Sequence, residues 1–228
     1  MSQNGAKFAA LNNKMEIPPT ITLPYIAPTN APKGEDNCDQ YSESFPRYFI
    51  NTYTQKGEKI LDPFLGFGTT ALIAEELERI PYGIEADRAR FEWAAGQCEH
   101  WQNIRHDDAI NTHAHNFPKM AACITSPPFM KITDTWNPLY GGDPAHKGYD
   151  AYLARMNEIF TAIAPLLRKN APLIIHADNI KSRRFTPLIS DISHALRKAY
   201  TPIGETIIQW QNPPKNHPFT NALIFKKV

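Results

Sequence analysis

From residue 58 onward, the chain alternates between short apolar runs and longer segments in which apolar residues recur every three or four positions. Short apolar runs bounded by turn residues or acids are typical of buried strands, whereas the longer spacing is typical of amphipathic helices. The pattern predicts seven strands, at residues 58–62, 81–85, 103–109, 120–125, 171–177, 204–211 and 221–227. It predicts helices between them, at residues 69–80, 87–101, 149–169 and 185–199.

Strands that alternate with helices predict an α/β fold with right-handed crossovers. We therefore expect a doubly wound, mostly parallel seven-stranded sheet. The last two predicted strands are separated only by a long loop, from Asn212 to Thr220, and should form a C-terminal antiparallel hairpin. In such sheets ligands bind at the carboxyl ends of the strands, near the point where the strand order reverses.

The first forty residues differ from the rest of the chain. They are rich in Pro, Asn and Thr and have no sustained apolar period. We expect residues 1–40 to form an irregular N-terminal arm and residues 41–228 to form a single domain. The pattern leaves open whether the arm is disordered or packs on the domain through Ile21, Leu23 and Tyr25.

Composition is that of one globular domain, with 228 residues of which 42% are hydrophobic and 21% charged. No run of eighteen apolar residues and no leader-like start are visible, so we expect a cytoplasmic protein without a membrane partner. The three cysteines, Cys38, Cys98 and Cys123, lie far apart without metal-ligand spacing. We expect free thiols and no metal site.

Charge changes this picture only locally. The net charge is +1, but residues 168–228 hold ten Lys and Arg against three acids. A basic segment of this kind favours contact with a phosphate backbone, or it is simply a solvated helix face and tail. Both interpretations stay open at this point.

The first candidate for chemistry is the glycine loop in "ILDPFLGFGTTA", residues 60–71, which runs from a predicted strand into a helix. Gly66 and Gly68 fit the spacing of a dinucleotide-binding loop, where a pyrophosphate would lie at the helix N-terminus. Asp62 at the strand end would repel that pyrophosphate but attract the ammonium group of S-adenosylmethionine. We therefore favour S-adenosylmethionine over a nicotinamide cofactor.

Acidic residues also end the next two predicted strands. Glu85 is placed to accept hydrogen bonds from both ribose hydroxyls of an adenosine. Asp107 or Asp108 is placed to meet the adenine amino group. Three acids at three successive strand ends fit an adenosine-containing cofactor better than three unrelated loop residues do.

The second candidate is "ITSPPFMK", residues 124–131, where two prolines must end a buried strand in a rigid turn. An exocyclic amino nitrogen on a base is a poor nucleophile because its lone pair is delocalised into the ring. Acceptors that bind its two hydrogens out of the ring plane favour a nitrogen that can attack a methyl group. Ser126 can offer its hydroxyl oxygen and Pro127 its carbonyl, while Pro128 stiffens the turn and Phe129 can stack on a planar substrate.

Together, "DPFLGFGTT" and the downstream "TSPPF" resemble the DNA amino-methyltransferases, in particular those that modify cytosine N4. The likeness covers most of residues 41–228, and it implies a class I methyltransferase-like sheet, an S-adenosyl-L-methionine cofactor and methyl transfer to an exocyclic amino group. Serine at position 126, where adenine-type relatives have aspartate, points to cytosine. By resemblance the cofactor residues are Asp62, Pro63, Phe64, Gly66, Gly68, Thr69 and Thr70, with Ser44, Phe45 and Pro46 of "YSESFPRYFI". The catalytic residues implied are Thr125, Ser126, Pro127, Pro128 and Phe129.

A long loop, residues 130–148, follows the proline motif directly. Loops of this length beside an active site are commonly lids or substrate walls. We expect Trp136 and Tyr140 to bind substrate together with Phe129. The alternative is a surface excursion with Trp136 packed down.

The substrate is less constrained than the reaction. A cytosine in duplex DNA would have to be flipped out of the helix, yet few residues outside the catalytic domain remain for target recognition, so DNA contacts would need a homodimer or a short recognition site. A peptide side-chain amide such as asparagine, or a small-molecule amine, presents a similar deactivated nitrogen. RNA is a third candidate, and a non-catalytic S-adenosylmethionine-binding module is a fourth, which the intact proline motif disfavours.

Overall fold

In a computed structural model, which describes residues 17–32, 40–215 and 217–228, the chain builds one eight-stranded sheet with the order β1-β7-β8-β6-β5-β2-β3-β4. The strands are β1 Thr20–Pro24, β2 Lys59–Asp62, β3 Ile80–Glu85, β4 Ile104–His106, β5 Ala122–Thr125, β6 Pro172–Ala177, β7 Tyr200–Gln211 and β8 Phe219–Lys227. Only β8 runs antiparallel to its neighbours, β6 and β7. The α/β fold with a mostly parallel sheet and an antiparallel C-terminal hairpin is thus confirmed.

The strand order reverses between β2 and β5, which lie side by side and parallel. From β2 the chain proceeds outward through β3 and β4, whereas β5 and β6 extend the sheet in the other direction. The crevice at the carboxyl ends of β2 and β5 is therefore where a ligand is expected to bind. Both candidate motifs begin there, the glycine loop after β2 and the proline motif after β5.

Helices cover both faces of the sheet, as a doubly wound fold requires. They are α1 Ser44–Tyr53, α2 Thr69–Glu76, α3 Arg88–Gln97, α4 Tyr149–Ile163 and α5 Leu188–Ala195. Successive strand residues point to opposite faces. In β2, Ile60 packs with α1 and α2, while Leu61 packs with α4 and α5. Because helices bury both faces, residues that point either way are apolar, and the strands read as continuous apolar runs in the sequence.

Two elements differ from the sequence prediction. Residues 17–32 of the expected irregular arm are not all irregular, because β1 pairs in parallel with β7 and adds an eighth strand to the predicted seven. Ile21 and Leu23 of β1 pack against the core, which agrees with the alternative in which the arm packs on the domain. Helix α1 was not predicted, since its proline, aromatic and polar residues in "SFPRYFINTY" give no clear start signal.

Helix ends explain most of the smaller differences. Asp87 caps α3 as predicted, with its side chain accepting a hydrogen bond from the Arg90 backbone N–H. Helix α2 ends at Glu76, four residues earlier than predicted, because Glu78 turns the chain with a left-handed φ of 63°. Within the described residues no helix has the length and apolar character needed to cross a membrane. Cys98 and Cys123 are buried free thiols, and Cys38 lies outside the described residues.

Candidate active site

A cavity of about 1010 Å³ lies at the carboxyl edge of the sheet and joins the two motifs. Its volume is at the upper end of the ~300–1,000 Å³ that is typical of small-molecule pockets. Predicted site residues from both motifs and from the strand ends line it, namely Pro63, Phe64, Gly66, Glu85, Asp108, Ser126, Pro127, Pro128, Phe129 and Trp136. Predicted site residues that do not line it are Ser44, Phe45, Pro46, Asp62, Gly68, Thr69, Thr70, Asp107, Thr125 and Tyr140.

The carboxyl group of Asp62 lies below the cavity floor rather than on its surface, with the residue 2% exposed. It accepts hydrogen bonds from the hydroxyls of Thr70 (2.5 Å) and Thr125 (2.6 Å) and from the Phe64 backbone N–H (3.0 Å). Burial raises the pKa of Asp62 to about 6, against the lowering effect of these bonds. The carboxyl group of Asp62 therefore does not face the cavity, where we expected it to pair with the ammonium group of the cofactor. Its oxygens instead connect Thr70 of the glycine loop with Thr125 of the proline motif.

The glycine loop passes close to α3. Gly68 caps α2 with a left-handed φ of 93°, and a Cβ at this position would lie 3.2 Å from the Ala94 Cβ. Only glycine meets both demands, the positive φ and the close approach, without adjustment. Thr69 and Thr70 follow in the first turn and are buried, so they shape the loop from within.

Glu85 lies at the end of β3 and borders the cavity, as predicted. One carboxyl oxygen accepts from the Gly66 backbone N–H at 2.7 Å and the other from the Asp87 backbone N–H at 2.8 Å. Burial raises the pKa of Glu85, while these two bonds favour its ionised form. A carboxylate held in this way keeps further lone pairs for the two hydroxyls of a ribose.

The two acids that follow β4 have different roles. Asp107 is held by the His115 ring at 2.9 Å and by the Asn111 side chain at 2.8 Å, and the bond from Asn111 is the main cause that lowers its pKa. Asp108 borders the cavity and pairs with Arg155 at 2.9 Å. Of the two candidates for the adenine amino group, the structure brings only Asp108 to the cavity.

The segment before the glycine loop contributes through residues other than those predicted. Ser44 and Phe45 are buried in the first turn of α1 and do not line the cavity, although the Phe45 ring packs on the cavity residues Tyr41 and His176. Tyr41 and Ser42, just before that turn, line the cavity instead. The Tyr41 hydroxyl bonds to the Thr70 hydroxyl, so this segment is attached to the glycine loop.

The proline motif forms the opposite wall. Ser126 through Phe129 border the cavity, whereas Thr125 is fully buried and bonds to Asp62. The Tyr152 hydroxyl donates a hydrogen bond to the Pro128 carbonyl at 3.1 Å and fixes the turn from behind. Within the described residues no donor occupies the Pro127 carbonyl, so this acceptor stays open to a substrate.

A histidine that was not assigned a role from the sequence lies beside Ser126 and also lines the cavity. His176, in β6, approaches the Ser126 hydroxyl with its Nδ1 atom at 2.9 Å. The rings of Phe129 and Tyr41 both stack on the imidazole, with centroids 5.8 and 5.4 Å away. Burial lowers the pKa of His176 to about 4, so the ring is neutral at pH 7.

Comparisons with known proteins bear on the glycine-loop half of the chain. Residues 11–96 match the family model described as DNA methylase. Type II methyltransferase M.MjaI of Methanocaldococcus jannaschii is 41% identical over 58 residues, which cover 25% of this chain and 19% of that protein. Type II methyltransferase M.BglII of Bacillus subtilis is 39% identical over 49 residues, which cover 22% of this chain and 14% of that protein. These matches support the DNA amino-methyltransferase family.

The chain matches only a fifth or less of the length of these two relatives. Among solved structures, TrmN from Thermus thermophilus superimposes with a TM-score of 0.57 at 16% identity, covering 82% of this chain and 49% of that one. A methyltransferase from Pyrococcus furiosus gives a TM-score of 0.52 at 17% identity, covering 81% and 82%. At such identities the likeness shows the class I methyltransferase fold alone.

The DNA amino-methyltransferase family points to S-adenosyl-L-methionine as the cofactor of this chain. The residues present fit that group, because Glu85 offers acceptors for a ribose and the cavity is large enough for a nucleoside beside a second planar molecule. Phe64, next to the glycine loop, adds apolar wall.

The loop of residues 130–148 is ordered by Asn137, which is fully buried and was not singled out in the sequence. Its side chain donates to the His146 carbonyl at 2.9 Å and accepts from the Leu139 backbone N–H at 3.1 Å. Trp136 lines the cavity and stays 60% exposed. Tyr140 instead stacks on His146, with centroids 4.1 Å apart, so the structure does not bring it to the cavity.

Proposed function

We propose that the chain is an S-adenosylmethionine-dependent N-methyltransferase that acts on an exocyclic amino group, with N4 of cytosine in DNA as the substrate. The observation that carries this proposal is the single cavity that joins the glycine loop to the Ser126 turn. Residues 41–228 would hold the catalytic machinery, and Tyr25, which follows β1, adds to the cavity wall.

Glu85 and Gly66 would hold the sugar and Asp108 the adenine edge of the cofactor, because all three border the cavity and because Glu85 ends β3 and Asp108 follows the neighbouring strand β4. Bound S-adenosylmethionine supplies an electrophilic methyl group and takes the bonding electron pair onto its sulfur. Asp62 would act on this half indirectly, by fixing the strand ends through Thr70 and Thr125.

The Ser126 turn would hold the amino group that receives the methyl. The Ser126 hydroxyl oxygen and the Pro127 carbonyl offer two acceptors for its two hydrogens, and the turn is braced by Tyr152. Such preset acceptors localise the nitrogen lone pair toward the methyl group and lower the barrier without a strong base. The Phe129 ring would stack on the planar base.

DNA as the substrate is supported by a basic turn beside the cavity. This basic turn, residues 178–187, follows β6 and is closed by a β-bridge between Ile180 and Thr186. Its cations Lys181, Arg183 and Arg184 have no ion-pair partner among the described residues, and Phe185 is 54% exposed. Thr186 accepts a hydrogen bond from the Ile132 backbone N–H, so the turn lies against the loop that follows the proline motif. Cations at this place suit the phosphates that flank a flipped base.

The test is transfer of labelled methyl from S-adenosylmethionine to matched panels of DNA, RNA and total cell peptides. We expect label in DNA, and we expect Arg183→Gln with Arg184→Gln to reduce both DNA binding and its salt dependence. Arg197→Gln with Lys198→Gln is the matched control, because these cations precede β7 at the opposite edge of the sheet. Label in peptides alone, with equal DNA binding by both double variants, would contradict the DNA proposal.

A second candidate substrate is a peptide side-chain amide such as asparagine. The net charge of +1 gives the whole chain little long-range attraction for DNA. An amide NH₂ group is also planar and deactivated, so Ser126 and Pro127 would suit it. The same panel decides between the two substrates, since the label would then appear in peptides and resist nuclease.

A further inference from the structure

Beside Ser126, four side chains form a continuous row of hydrogen bonds, in which Ser126, His176 and Asp178 line the cavity and Thr220 of the hairpin is buried between the last two. The Ser126 hydroxyl meets Nδ1 of His176 at 2.9 Å, and Nε2 of His176 meets the Thr220 hydroxyl at 2.7 Å. The Thr220 hydroxyl donates to Asp178 at 2.7 Å. We call this row the Ser126–Asp178 relay.

The polarity of the relay follows from counting hydrogens. The Asp178 carboxylate can only accept, and Thr220 has one hydroxyl hydrogen, which it gives to Asp178. Thr220 must therefore accept from His176, so the imidazole hydrogen lies on Nε2. His176 is left with a bare Nδ1, and Ser126 must donate its own hydrogen to it.

This polarity has a direct consequence at the cavity. Because the Ser126 hydrogen points away to His176, the hydroxyl oxygen presents only lone pairs to a substrate. An amino group of a base, which arrives with two hydrogens, then meets a fixed acceptor rather than a freely rotating hydroxyl. The opposite polarity would turn the Ser126 hydrogen toward the amino group and repel it.

The surroundings hold the relay in place. Both oxygens of Asp178 are engaged, since Oδ1 also accepts from the backbone N–H and the side chain of Asn221 at 3.0 and 2.8 Å. The hairpin strand β8 thus supplies two residues that fix this carboxylate. Thr220 is fully buried, so water does not replace it as a partner.

We propose that Asp178, Thr220 and His176 act as positioning residues that hold Ser126 as an acceptor, and that His176 receives through Ser126 the proton released by methylation. This deepens the proposed function and rests on it. When the amino nitrogen gains its methyl group, its N–H bond breaks and the proton goes to the Ser126 oxygen, while the Ser126 proton goes to His176 Nδ1. The resulting imidazolium is linked to the Asp178 carboxylate through the Thr220 hydroxyl and releases its proton to water when the product leaves.

The strength of His176 as a base suits this step. Burial holds its pKa at about 4, so at neutral pH its Nδ1 carries no proton before each turnover and readily loses the one that it gains. An amino nitrogen that has just been methylated is a far stronger acid than an imidazolium, because its lone pair is no longer shared with the ring. A weak base is therefore sufficient.

The first test does not depend on turnover. In protein labelled with ¹⁵N-histidine, the ring nitrogens of His176 should report a neutral ring with its hydrogen on Nε2 at pH 7. In Asp178→Asn, the amide nitrogen would face Thr220 and donate to its hydroxyl oxygen. Thr220 would then donate to Nε2 of His176, so the imidazole hydrogen should move from Nε2 to Nδ1. Asp150→Asn, an exposed carboxyl at the start of α4, is the control and should leave the His176 signals unchanged.

The second test uses Thr220→Val and Thr220→Ser as a matched pair. We expect Thr220→Val to lower kcat about 10-fold to 100-fold, a modest share of a typical acid–base contribution, while KM and S-adenosylhomocysteine affinity by calorimetry change less than about twofold. Thr220→Ser should restore kcat. A hydrogen on Nδ1 in the unaltered protein, or a loss confined to KM, would overturn the relay while leaving the methyltransferase proposal intact. Absence of any methyl transfer with the expected tautomer would refute the proposed function instead.

Discussion

Asp62 and His176 are both buried titratable side chains at the carboxyl edge of the sheet, yet they serve opposite needs. Asp62 is enclosed by Thr70, Thr125 and the Phe64 backbone, and its carboxyl group does not border the cavity. His176 bonds to Ser126, whose oxygen borders the cavity. Burial disfavours charge on both, raising the pKa of one to about 6 and lowering that of the other to about 4.

The difference shows that two adjacent residues of the proline motif, Thr125 and Ser126, have different roles. Thr125 points below the cavity to Asp62 and connects the end of β5 to the end of β2, while Ser126 faces the cavity. The alternation of side chains at the end of β5 is enough to separate them. Changes on the Asp62 side should therefore affect stability, and changes on the His176 side should affect turnover.

The largest effect is expected from Ser126→Ala. Loss of the acceptor should lower kcat by at least about 100-fold, comparable with loss of one oxyanion-hole donor elsewhere. Cofactor affinity by calorimetry and the midpoint of urea unfolding should stay close to those of the unaltered protein. Near-normal turnover would remove Ser126 from the mechanism, and Phe129→Ala is the companion variant that tests the ring.

The next effect concerns pH and Asp62. Because its folded-state pKa is raised, Asp62 binds a proton more tightly in the folded chain, so its contribution is fully present below pH ~4 and is lost as pH rises through about 6. The loss corresponds to about 3 kcal/mol, at 1.4 kcal/mol for each pH unit. Asp62→Asn should remove this part of the slope when urea unfolding is measured from pH 4 to 7.5. An unchanged slope would show that Asp62 titrates normally.

Thr125→Val should follow in size. It removes one donor from the buried Asp62 carboxyl, which costs about 1–3 kcal/mol of unfolding free energy, as measured by urea unfolding at pH 7. It should also raise the pKa of Asp62 further, because the lost bond favoured the ionised form. Thr52→Val, an exposed threonine in α1, is the control. Loss of turnover without loss of stability would show that Thr125 acts in catalysis rather than in stabilising the fold.

The smallest effect is expected at Gly142. An alanine Cβ there would lie 1.9 Å from Nε1 of Trp136, so Gly142→Ala should displace this ring from the cavity wall. We expect KM to rise about fivefold, equal to ~1 kcal/mol, with kcat unchanged. Gly141→Ala has a similar positive φ but meets nothing within 4 Å, and it is the matched control. Equal KM values for both variants would show that Trp136 does not contact substrate.

The sequence was sufficient to predict the parts of the fold that depend on local patterns. The apolar runs and the Asp87 cap predicted strands and a helix start that the structure confirms, and the two motifs predicted which strand ends meet. Strand β1 could not be predicted, because its five residues are stabilised by pairing with β7, almost two hundred residues away. Whether such an edge segment forms a strand depends on the strand that it pairs with, here β7.

The candidate site shows the same limit. Ser126 and Glu85 could be placed at the cavity from their positions after strands. His176 could not, because it lies within the apolar run of β6 and resembles a core residue until Ser126 and Thr220 are brought to it from two other segments. A polar residue inside a fully buried strand was the available signal, since such groups need partners.

The central claim is that this cavity methylates an amino nitrogen, and the position of the methyl group tests it most directly. DNA treated with the protein and S-adenosylmethionine should be digested to nucleosides and compared by chromatography and mass spectrometry with N4-methyl-, 5-methyl- and N6-methyl-deoxynucleoside standards. We expect N4-methyldeoxycytidine, and we expect Ser126→Ala to abolish it. A methyl group on cytosine C5 would contradict it, because a carbon nucleophile has no use for the acceptors of the Ser126 turn.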